Sequence, residues 1–399
     1  MAQKTPDFTT CSLGYREYGG SDNKLSIEYE GNKYMLKLPE FKQTKNDLQT
    51  SHVNNVLSEH IGSHIIKSLG LDVHDTILGV YNGNPAVACR DFTGNGYRLQ
   101  EFSWLMRSFY DKSEVRRIPS YNQLYEVIEK HPLLNGIREQ AISRYWQTFA
   151  ADAVIGNFDR HKGNWGYLVN EATKDVKLAP IYDCGSSLYP GIAEDKMSSI
   201  LSSQEEIEKR LYLFPKAALN MNNTNKEDKL GYYEALSSNF DRNCTKAFLE
   251  IYPRVRLSEI NRIVENTPFV SDKRIEFYET MLHYRKELIL DRALDLLIEK
   301  AKNQVIEERN GELSIKKCPA EYYDIVKYMY ANEKDCLIIS DRGEASYIGD
   351  INICNSICRE FRGELSEHSN SCEWNGMIQN AEELENYTAY MVRNYDLER

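Results

Sequence analysis

One polar segment constrains the fold more than any other: Asn157-Phe158-Asp159-Arg160-His161-Lys162-Gly163-Asn164. It follows a stretch of helical periodicity, IREQAISRYWQTFAADAVIG, and precedes two segments typical of short strands, WGYLVN and VKLAPIY. A second acidic residue, Asp183, lies 24 residues after Asp159 in Ile181-Tyr182-Asp183-Cys184-Gly185. The sequence therefore predicts a long helix, a polar loop, a hairpin and an acidic turn, in that order.

The first 95 residues have the pattern of a small β-rich region. KLSIEYEGNKYMLKLPE alternates apolar and polar side chains around Glu30-Gly31-Asn32, which predicts a hairpin with strands near 24–29 and 33–38. A helix near 50–69, ended by Gly70, and strands near 76–81 and 85–90 are predicted next. Lys37 lies in the second strand of the hairpin.

From about residue 98 the periodicity is mainly helical. The 190–250 region has the pattern of loops with short helices, and a long helix is predicted over 272–308. Asn310-Gly311 ends that helix, and the tail after it contains one predicted strand, DCLIIS, followed by two helical segments. We predict three parts: an N-lobe over 8–95, a helical C-lobe over 96–310, and a C-terminal appendage over 311–399.

The spacing of the polar residues favours phosphoryl transfer. That reaction requires a lysine on the nucleotide phosphates, a carboxylate that takes the proton of the attacking hydroxyl, and oxygen ligands for Mg²⁺. Asp-x4-Asn followed by Asp-x-Gly, with a strand lysine upstream, is how kinase-like folds supply these groups. Each piece alone is common in surface loops and strands, and their order and context carry the prediction.

The same residues resemble a known family. Asn157–Asn164 and Leu178-Ala179-Pro180-Ile181-Tyr182-Asp183 resemble the C-lobe motifs of the HipA-like serine/threonine kinases. Tyr-Met-Leu-Lys, Leu-Ser-Glu-His-Ile, Ser-Leu-Gly-Leu and Val-Ala-Cys-Arg-Asp-Phe resemble the CtkA-like branch, so that the likeness covers about residues 8–300. It implies an α+β, two-lobed protein-kinase-like fold that binds ATP between a β-rich N-lobe and a helical C-lobe.

The resemblance also implies a role for each matching residue. Asp159 would be the catalytic base, His161 would brace its loop, and Asn164 and Asp183 would bind Mg²⁺. The residues implied to bind ATP or to support its site are Lys37, its ion-pair partner Glu59, the loop residues Gly19, Gly20 and Ser21, the hinge residues Arg90, Asp91 and Phe92 after Cys89, and Tyr182.

The nucleotide loop departs from the family in one position. Many HipA-like proteins carry a serine where Gly19 stands, and its phosphorylation silences them. Because that serine is absent, the resemblance does not carry this switch over to Gly19, and Ser21 is a candidate substitute at a shifted position. We expect autophosphorylation in a flexible segment, either on Ser21 or in the run Ser198–Ser203, where a kinase activation segment would lie.

ATP, Mg²⁺ and a protein substrate with a Ser or Thr acceptor are the implied ligands, and an antitoxin-like or host partner is compatible with the sequence. A net charge of −11 argues against nonspecific nucleic-acid binding. No apolar stretch approaches the ~18 residues of a membrane span. The N-terminus lacks an apolar signal core, so we expect a cytoplasmic location, with delivery into a host cell as an effector also compatible.

Other interpretations stay open at this point. Gly156-x-x-Asp159-Arg160-His161-x-x-Asn164 also resembles phosphatidylinositol kinases, and aminoglycoside phosphotransferases share a weaker form of the pattern. A non-catalytic pseudokinase scaffold is a third class. The nine cysteines are predicted to be free thiols, although Cys354, Cys358, His368 and Cys372 have a spacing near that of a zinc site.

Overall fold

The computed structural model describes residues 5–15, 24–39, 55–221, 228–367 and 372–395. The chain divides into two compact units, and neither is continuous in sequence. The first consists of Met1–Leu236 and Glu250–Asp291, and the second of Ser237–Leu249 and Arg292–Arg399. The second unit therefore begins before the predicted boundary at residue 311 and takes in a short segment from the predicted C-lobe.

A five-stranded antiparallel sheet forms the start of the first unit, in the order β1-β2-β3-β5-β4. Its strands are β1 (Ser12–Leu13), β2 (Lys24–Tyr29), β3 (Asn32–Lys37), β4 (Thr76–Tyr81) and β5 (Asn84–Arg90). Alternation along β2 and β3 buries Ile27 and Leu36 on one face against Phe8. Helix α1 (Asn55–Ser68) packs Val56 and Leu57 on the other face. The predicted hairpin, helix and strand pair are confirmed; predicted helix positions 50–54 lie outside the described residues.

The rest of the first unit is mostly helical. Its helices are α2 (Phe102–Met106), α3 (Lys112–Arg116), α4 (Tyr121–Lys130), α5 (Arg138–Ile155), α6 (Glu194–Leu201), α7 (Gln204–Glu208), α8 (Tyr232–Ser238), α10 (Leu257–Glu265) and α11 (Asp272–Arg285). The end of α8 and most of α9 (Arg242–Ile251) belong to the second unit. Single turns of 3-10 helix lie at Pro132–Leu134 and Tyr252–Arg254, and π-helical turns at Lys209–Leu213 and Lys286–Asp291.

Two small sheets accompany these helices. Strands β6 (Tyr97–Glu101), β7 (Gly166–Asn170) and β8 (Val176–Leu178) form one, and β9 (Lys216–Asn220) pairs with β10 (Lys229–Gly231) in the other. The predicted order of long helix, polar loop and hairpin is confirmed: α5 ends at Gly156, which has a left-handed φ of 65°, and the polar loop joins it to β7.

The predicted helix over 272–308 is wrong in its last part. α11 runs into a π-helical turn and then into α12 (Arg292–Lys302), where the helix ends. Strand β11 (Ile306–Asn310) follows and pairs antiparallel with β12 (Leu313–Cys318) around Gly311, whose φ is 64°. The local pattern of residues 306–310 is compatible with a helix. This segment forms a strand because its backbone pairs with that of β12.

A six-stranded sheet forms the core of the second unit, in the order β11-β12-β13-β14-β16-β15. Besides β11 and β12, its strands are β13 (Cys336–Ser340), β14 (Glu344–Gly349), β15 (Gly363–Glu367) and β16 (Cys372–Met377). The pair β12–β13 is parallel, and the other pairs of this sheet are antiparallel. Helices α13 (Tyr323–Tyr330), α14 (Ile351–Glu360) and α15 (Ala381–Tyr395) accompany it, with a 3-10 turn at Ala320–Tyr322. The strand predicted at DCLIIS and the two later helices are confirmed.

The short segment Ser237–Leu249 is attached to this sheet by ion pairs. Arg242 lies 2.5 Å from Asp324 and 2.5 Å from Glu344, both in the second unit. These contacts explain why a piece of chain from between α8 and α10 belongs to the second unit. Among the described residues of the whole chain, no helix combines the length and apolarity that crossing a bilayer requires.

Candidate active site

A buried lysine links two carboxylates that are far apart in sequence. The Lys37 ammonium lies 2.8 Å from Glu59 Oε2 on α1 and 2.7 Å from Asp183 Oδ1 after β8. The Lys37 and Glu59 side chains are 2% and 0% exposed, whereas that of Asp183 is 28% exposed. The Glu59 carboxylate is therefore fully buried, whereas the Asp183 carboxylate is partly exposed to solvent.

The mutual attraction of these three groups favours the charged form of each. Burial alone would raise the pKa of Glu59, but the Lys37 ammonium and the hydrogen bond with His74 lower it well below its usual range. Burial also opposes ionisation of Asp183, and the Lys37 ammonium again makes the net pKa lower than usual. For Lys37, burial favours the neutral amine, but Asp183 and Glu59 raise its pKa well above the ordinary value.

Glu59 accepts two further hydrogen bonds on its other oxygen. Oε1 lies 2.9 Å from His74 Nε2 and 3.1 Å from the backbone nitrogen of Cys184. A Cβ on Gly185 would come within 3.1 Å of the Glu59 carboxylate, so the glycine permits this close approach. The residue after Asp183 is thus tied to the helix that carries Glu59.

Arg160 fixes the two segments that carry the predicted metal ligands. Its guanidinium makes a bidentate pair with Asp152 on α5, at 2.9 and 3.0 Å. Its Nη1 donates to the backbone carbonyl of Asn164 at 3.0 Å and to that of Tyr182, next to Asp183. Asp152 and Arg160 are 1% and 8% exposed, so this clamp lies in the interior.

The polar loop is shaped by hydrogen bonds among its own residues. Asn157 donates to Asp152 at 3.0 Å and accepts from the backbone nitrogen of Asp159 at 3.0 Å. The Asn164 amide nitrogen donates to the Asp159 carbonyl at 2.8 Å, which leaves the amide oxygen of Asn164 for another partner. His161 is exposed, and its Nδ1 accepts from the backbone of Gly163 at 3.0 Å. Arg160 therefore makes the buried contacts of this loop, and His161 makes a local one.

The predicted hinge lies at the end of β5. The backbone nitrogen of Arg90 donates to the Asp75 carbonyl at 2.8 Å, and that of Asp91 to the Lys33 carbonyl at 2.9 Å. Both N–H groups are thus engaged within the protein. The rings of Phe92 and Tyr182 lie 5.6 Å apart, which brings the hinge next to the segment before Asp183.

Two parts of the predicted site need separate mention. Gly19, Gly20 and Ser21 lie outside the described residues. Lys24, the first described residue after them, was not singled out from the sequence, yet it stands directly opposite Lys37 across the hairpin, on the same face of the sheet. Its charge helps lower the pKa of Asp183, after the larger effect of Lys37. Cross-strand pairing with Lys37 is the signal that could have found it.

Comparison with known proteins identifies the family. The HipA-like C-terminal domain matches residues 17–264 of the chain. Serine/threonine-protein kinase CtkA of Helicobacter pylori is 36% identical over 303 residues, which make up 74% of this chain and 90% of that protein. The chain belongs to the HipA-like kinase family. The predicted family and its CtkA-like branch are confirmed, and with them the prediction of a serine/threonine kinase.

Solved structures agree with this assignment. The crystal structure of the H. pylori proinflammatory kinase CtkA matches with a TM-score of 0.66 at 36% identity, and the match covers 72% of this chain and 97% of that one. The predicted kinase-like α+β fold is confirmed by this match. A chain from the Shewanella oneidensis HipA, HipB and operator DNA complex matches at 17% identity and a TM-score of 0.45, over 70% and 66% of the two chains, which is too distant to bear on function.

The run Ser198–Ser203 is not the flexible segment that was predicted. Its first residues belong to α6, and Ser203 caps α7 by accepting from the backbone of Glu206 at 3.3 Å. The hydroxyls of Ser199 and Ser202 donate to backbone carbonyls within the same helix. Helical hydrogen bonding therefore holds this run, and Ser21 lies outside the described residues.

The cysteines of the second unit do not assemble a metal site among the described residues. Cys354 donates to the Cys372 carbonyl, and Cys358 donates to the Gly363 carbonyl, each at 3.2 Å. The fourth predicted ligand, His368, lies outside the described residues. Within the described part of the chain, one group has three convergent ligand atoms, those of Glu59, His74 and Cys89. The Lys37 ammonium, 2.8 Å from Glu59, repels a cation there.

Proposed function

We propose that this protein transfers the γ-phosphoryl group of ATP to a Ser or Thr hydroxyl of a protein substrate, with Mg²⁺. The observation that carries the proposal is the buried Lys37 held between Glu59 and Asp183. An ammonium has three N–H donors, and two of them are directed to these carboxylates. Within the described part of the chain no acceptor takes the third, which is left for a phosphate oxygen of ATP.

The donor set fits Mg²⁺. Asp183 offers a partly exposed carboxylate, and Asn164 offers its amide oxygen because its nitrogen is bonded to the Asp159 carbonyl. Hard oxygen donors of this kind are the ligands that Mg²⁺ prefers. When bound, the ion would neutralise charge on the phosphate oxygens during transfer.

Asp159 is the group we assign as the base that accepts the hydroxyl proton. Its backbone is fixed from both sides, by Asn157 at its nitrogen and by Asn164 at its carbonyl. Such anchoring favours a constant position for the carboxylate, which is what proton transfer within hydrogen-bond reach requires. The hydrogen bond that the Gly163 backbone N–H donates to His161 Nδ1 supports the same loop.

The alternatives have less support. All four polar groups of a catalytic kinase are present, which argues against a pseudokinase scaffold. A relative that is named as a serine/threonine-protein kinase matches most of this chain, which favours a protein substrate over a phosphoinositide or an aminoglycoside. A protein acceptor is therefore the substrate class that we assign.

Replacing Asp159 by asparagine tests the proposal. We expect phosphate transfer from ATP to fall about 100- to 10,000-fold, because the change removes the proton acceptor and keeps its size. Binding of ATP with Mg²⁺ and the melting temperature should stay as in the wild type. Asp195→Asn, the same change at an exposed position on α6, is the matched control and should keep wild-type activity.

The same assay reports autophosphorylation. After incubation with ATP and Mg²⁺, mass spectrometry should find phosphate on Ser or Thr in the wild type and none in Asp159→Asn. Ser21 is the candidate we now favour, because helical hydrogen bonds hold the hydroxyls of Ser199 and Ser202. Wild-type transfer rates in Asp159→Asn would refute the assignment of the base.

A further inference from the structure

Among the residues that the structure describes, His74 is the one partner of the Glu59 carboxylate that the ATP site does not explain. Lys37 belongs to the phosphate site, and Cys184 follows a predicted metal ligand. His74 lies outside every motif that the sequence analysis singled out, yet its Nε2 is 2.9 Å from Glu59 Oε1. The two side chains are 2% and 0% exposed, so solvent does not weaken the contact.

We propose that His74 is a positioning residue that holds Glu59 in the orientation that pairs with Lys37. This inference rests on the proposed function, in which Lys37 contacts the ATP phosphates. An ionised carboxylate can only accept hydrogen bonds, so Nε2 carries the proton and donates it. Ser63 Oγ, 3.1 Å from the same nitrogen, keeps the imidazole ring in place from α1.

The backbone around His74 extends this link to the metal-ligand segment. The His74 nitrogen donates to the Ile181 carbonyl at 2.9 Å, and the Ile181 nitrogen donates to the Asp72 carbonyl at 2.9 Å. Val73 and Ile181 form a parallel bridge. The His74 backbone is therefore bonded to Ile181, two residues before Asp183, and the His74 side chain is bonded to Glu59 on α1. His74 thus links the segment that carries Asp183 to α1.

Without His74, Oε1 of Glu59 would keep one donor, the Cys184 backbone nitrogen. Rotation of the carboxylate would then be less restrained, and Lys37 would be drawn towards Asp183, its remaining strong partner. Both changes move the ammonium away from the position proposed for phosphate binding. The expected defect is in the use of ATP, and it goes beyond a loss of stability.

Three variants test this role. His74→Leu removes the donor, and His74→Gln keeps an N–H group close to the position of Nε2. His60→Leu is the matched control, because His60 is also on α1, where its ring bonds the Thr76 hydroxyl at 2.9 Å, and within the described part of the chain it makes no hydrogen bond or ion pair with Glu59. We would measure kcat and KM for ATP with casein as acceptor, the affinity for adenylyl imidodiphosphate with Mg²⁺ by calorimetry, and the melting temperature.

We expect His74→Leu to lower kcat/KM for ATP and the analogue affinity about tenfold or more, which is the scale of one buried charge-assisted hydrogen bond. His74→Gln should recover most of both values, and His60→Leu should match the wild type in both, whatever its melting temperature. The proposal is overturned if His74→Leu stays within threefold of the wild type, or if His74→Gln is as impaired as His74→Leu. A wild type that binds the analogue but phosphorylates nothing would refute the proposed function, while the calorimetry still decides the role of His74.

Discussion

Replacing Asp152 by leucine is expected to destabilise the first unit more than any exposed charge substitution. The change leaves the Arg160 guanidinium, 8% exposed, without its bidentate partner. Breaking a buried ion pair on one side costs about 3–5 kcal/mol, because an unpaired charge stays in the interior. Asn157 also loses its acceptor on Asp152.

The double variant Asp152→Leu/Arg160→Met separates charge burial from clamping. Replacing both partners by apolar side chains removes the unpaired charge, so the free energy of unfolding should recover by about 2 kcal/mol or more relative to the sum of the single changes. Activity should stay low, because the carbonyls of Asn164 and Tyr182 lose the guanidinium that holds them. The second substitution would thus restore stability without restoring activity.

Urea unfolding followed by tryptophan fluorescence measures the first quantity, and phosphate transfer to casein the second. Glu205→Leu is the control, since its partner Lys209 is on the surface and keeps Glu206. We expect that variant to cost less than about 1 kcal/mol. The reasoning fails if Asp152→Leu costs no more than this control, or if the double variant has wild-type activity.

Three shorter predictions follow from the same site. Asp183→Ala should weaken ATP binding with Mg²⁺ in calorimetry and leave metal-free binding unchanged or tighter, because it removes a ligand and a negative charge. Lys24→Met should raise KM for ATP about tenfold in steady-state kinetics, and Lys24→Arg should not. Burial, and after it the charge of His64, lowers the pKa of His60 from 6.5 to about 3. Lowering the pH from 7 to 5 should therefore reduce the free energy of unfolding by about 2 kcal/mol, because His60 takes up a proton in the unfolded chain and not in the folded one. In urea titrations, His60→Gln should abolish that part of the loss.

Local pattern was sufficient for much of the first unit. Alternation around Glu30-Gly31-Asn32 predicts β2 and β3, and the turn residues around α5 predict where the helix gives way to the polar loop. These features depend on neighbours within a few positions. The motif residues Asp159, Asn164 and Asp183 were also found from the sequence, by their spacing together with the order of the helix, loop and strands around them.

The contacts that support the site could not be predicted in this way. Lys37 and Asp183 are 146 positions apart, and the Cys184 nitrogen and Glu59 are 125 apart. His74 lies outside every sequence motif. Arg160 is buried, although an arginine in a polar loop is usually exposed. The same limit explains β11, where a partner strand overrides a local sequence that is compatible with a helix.

The interleaved course of the chain bears on how the protein can be dissected. The backbone passes from one unit to the other three times, after Leu236, Leu249 and Asp291. A single cut after Asp291 therefore keeps all of the first unit in one fragment but divides the second unit, because a protein shortened at residue 291 would retain Arg242 without Asp324 and Glu344. During synthesis, Ser237–Leu249 emerges long before the sheet that receives it, so the second unit can be completed only after the last segment of the first has been made.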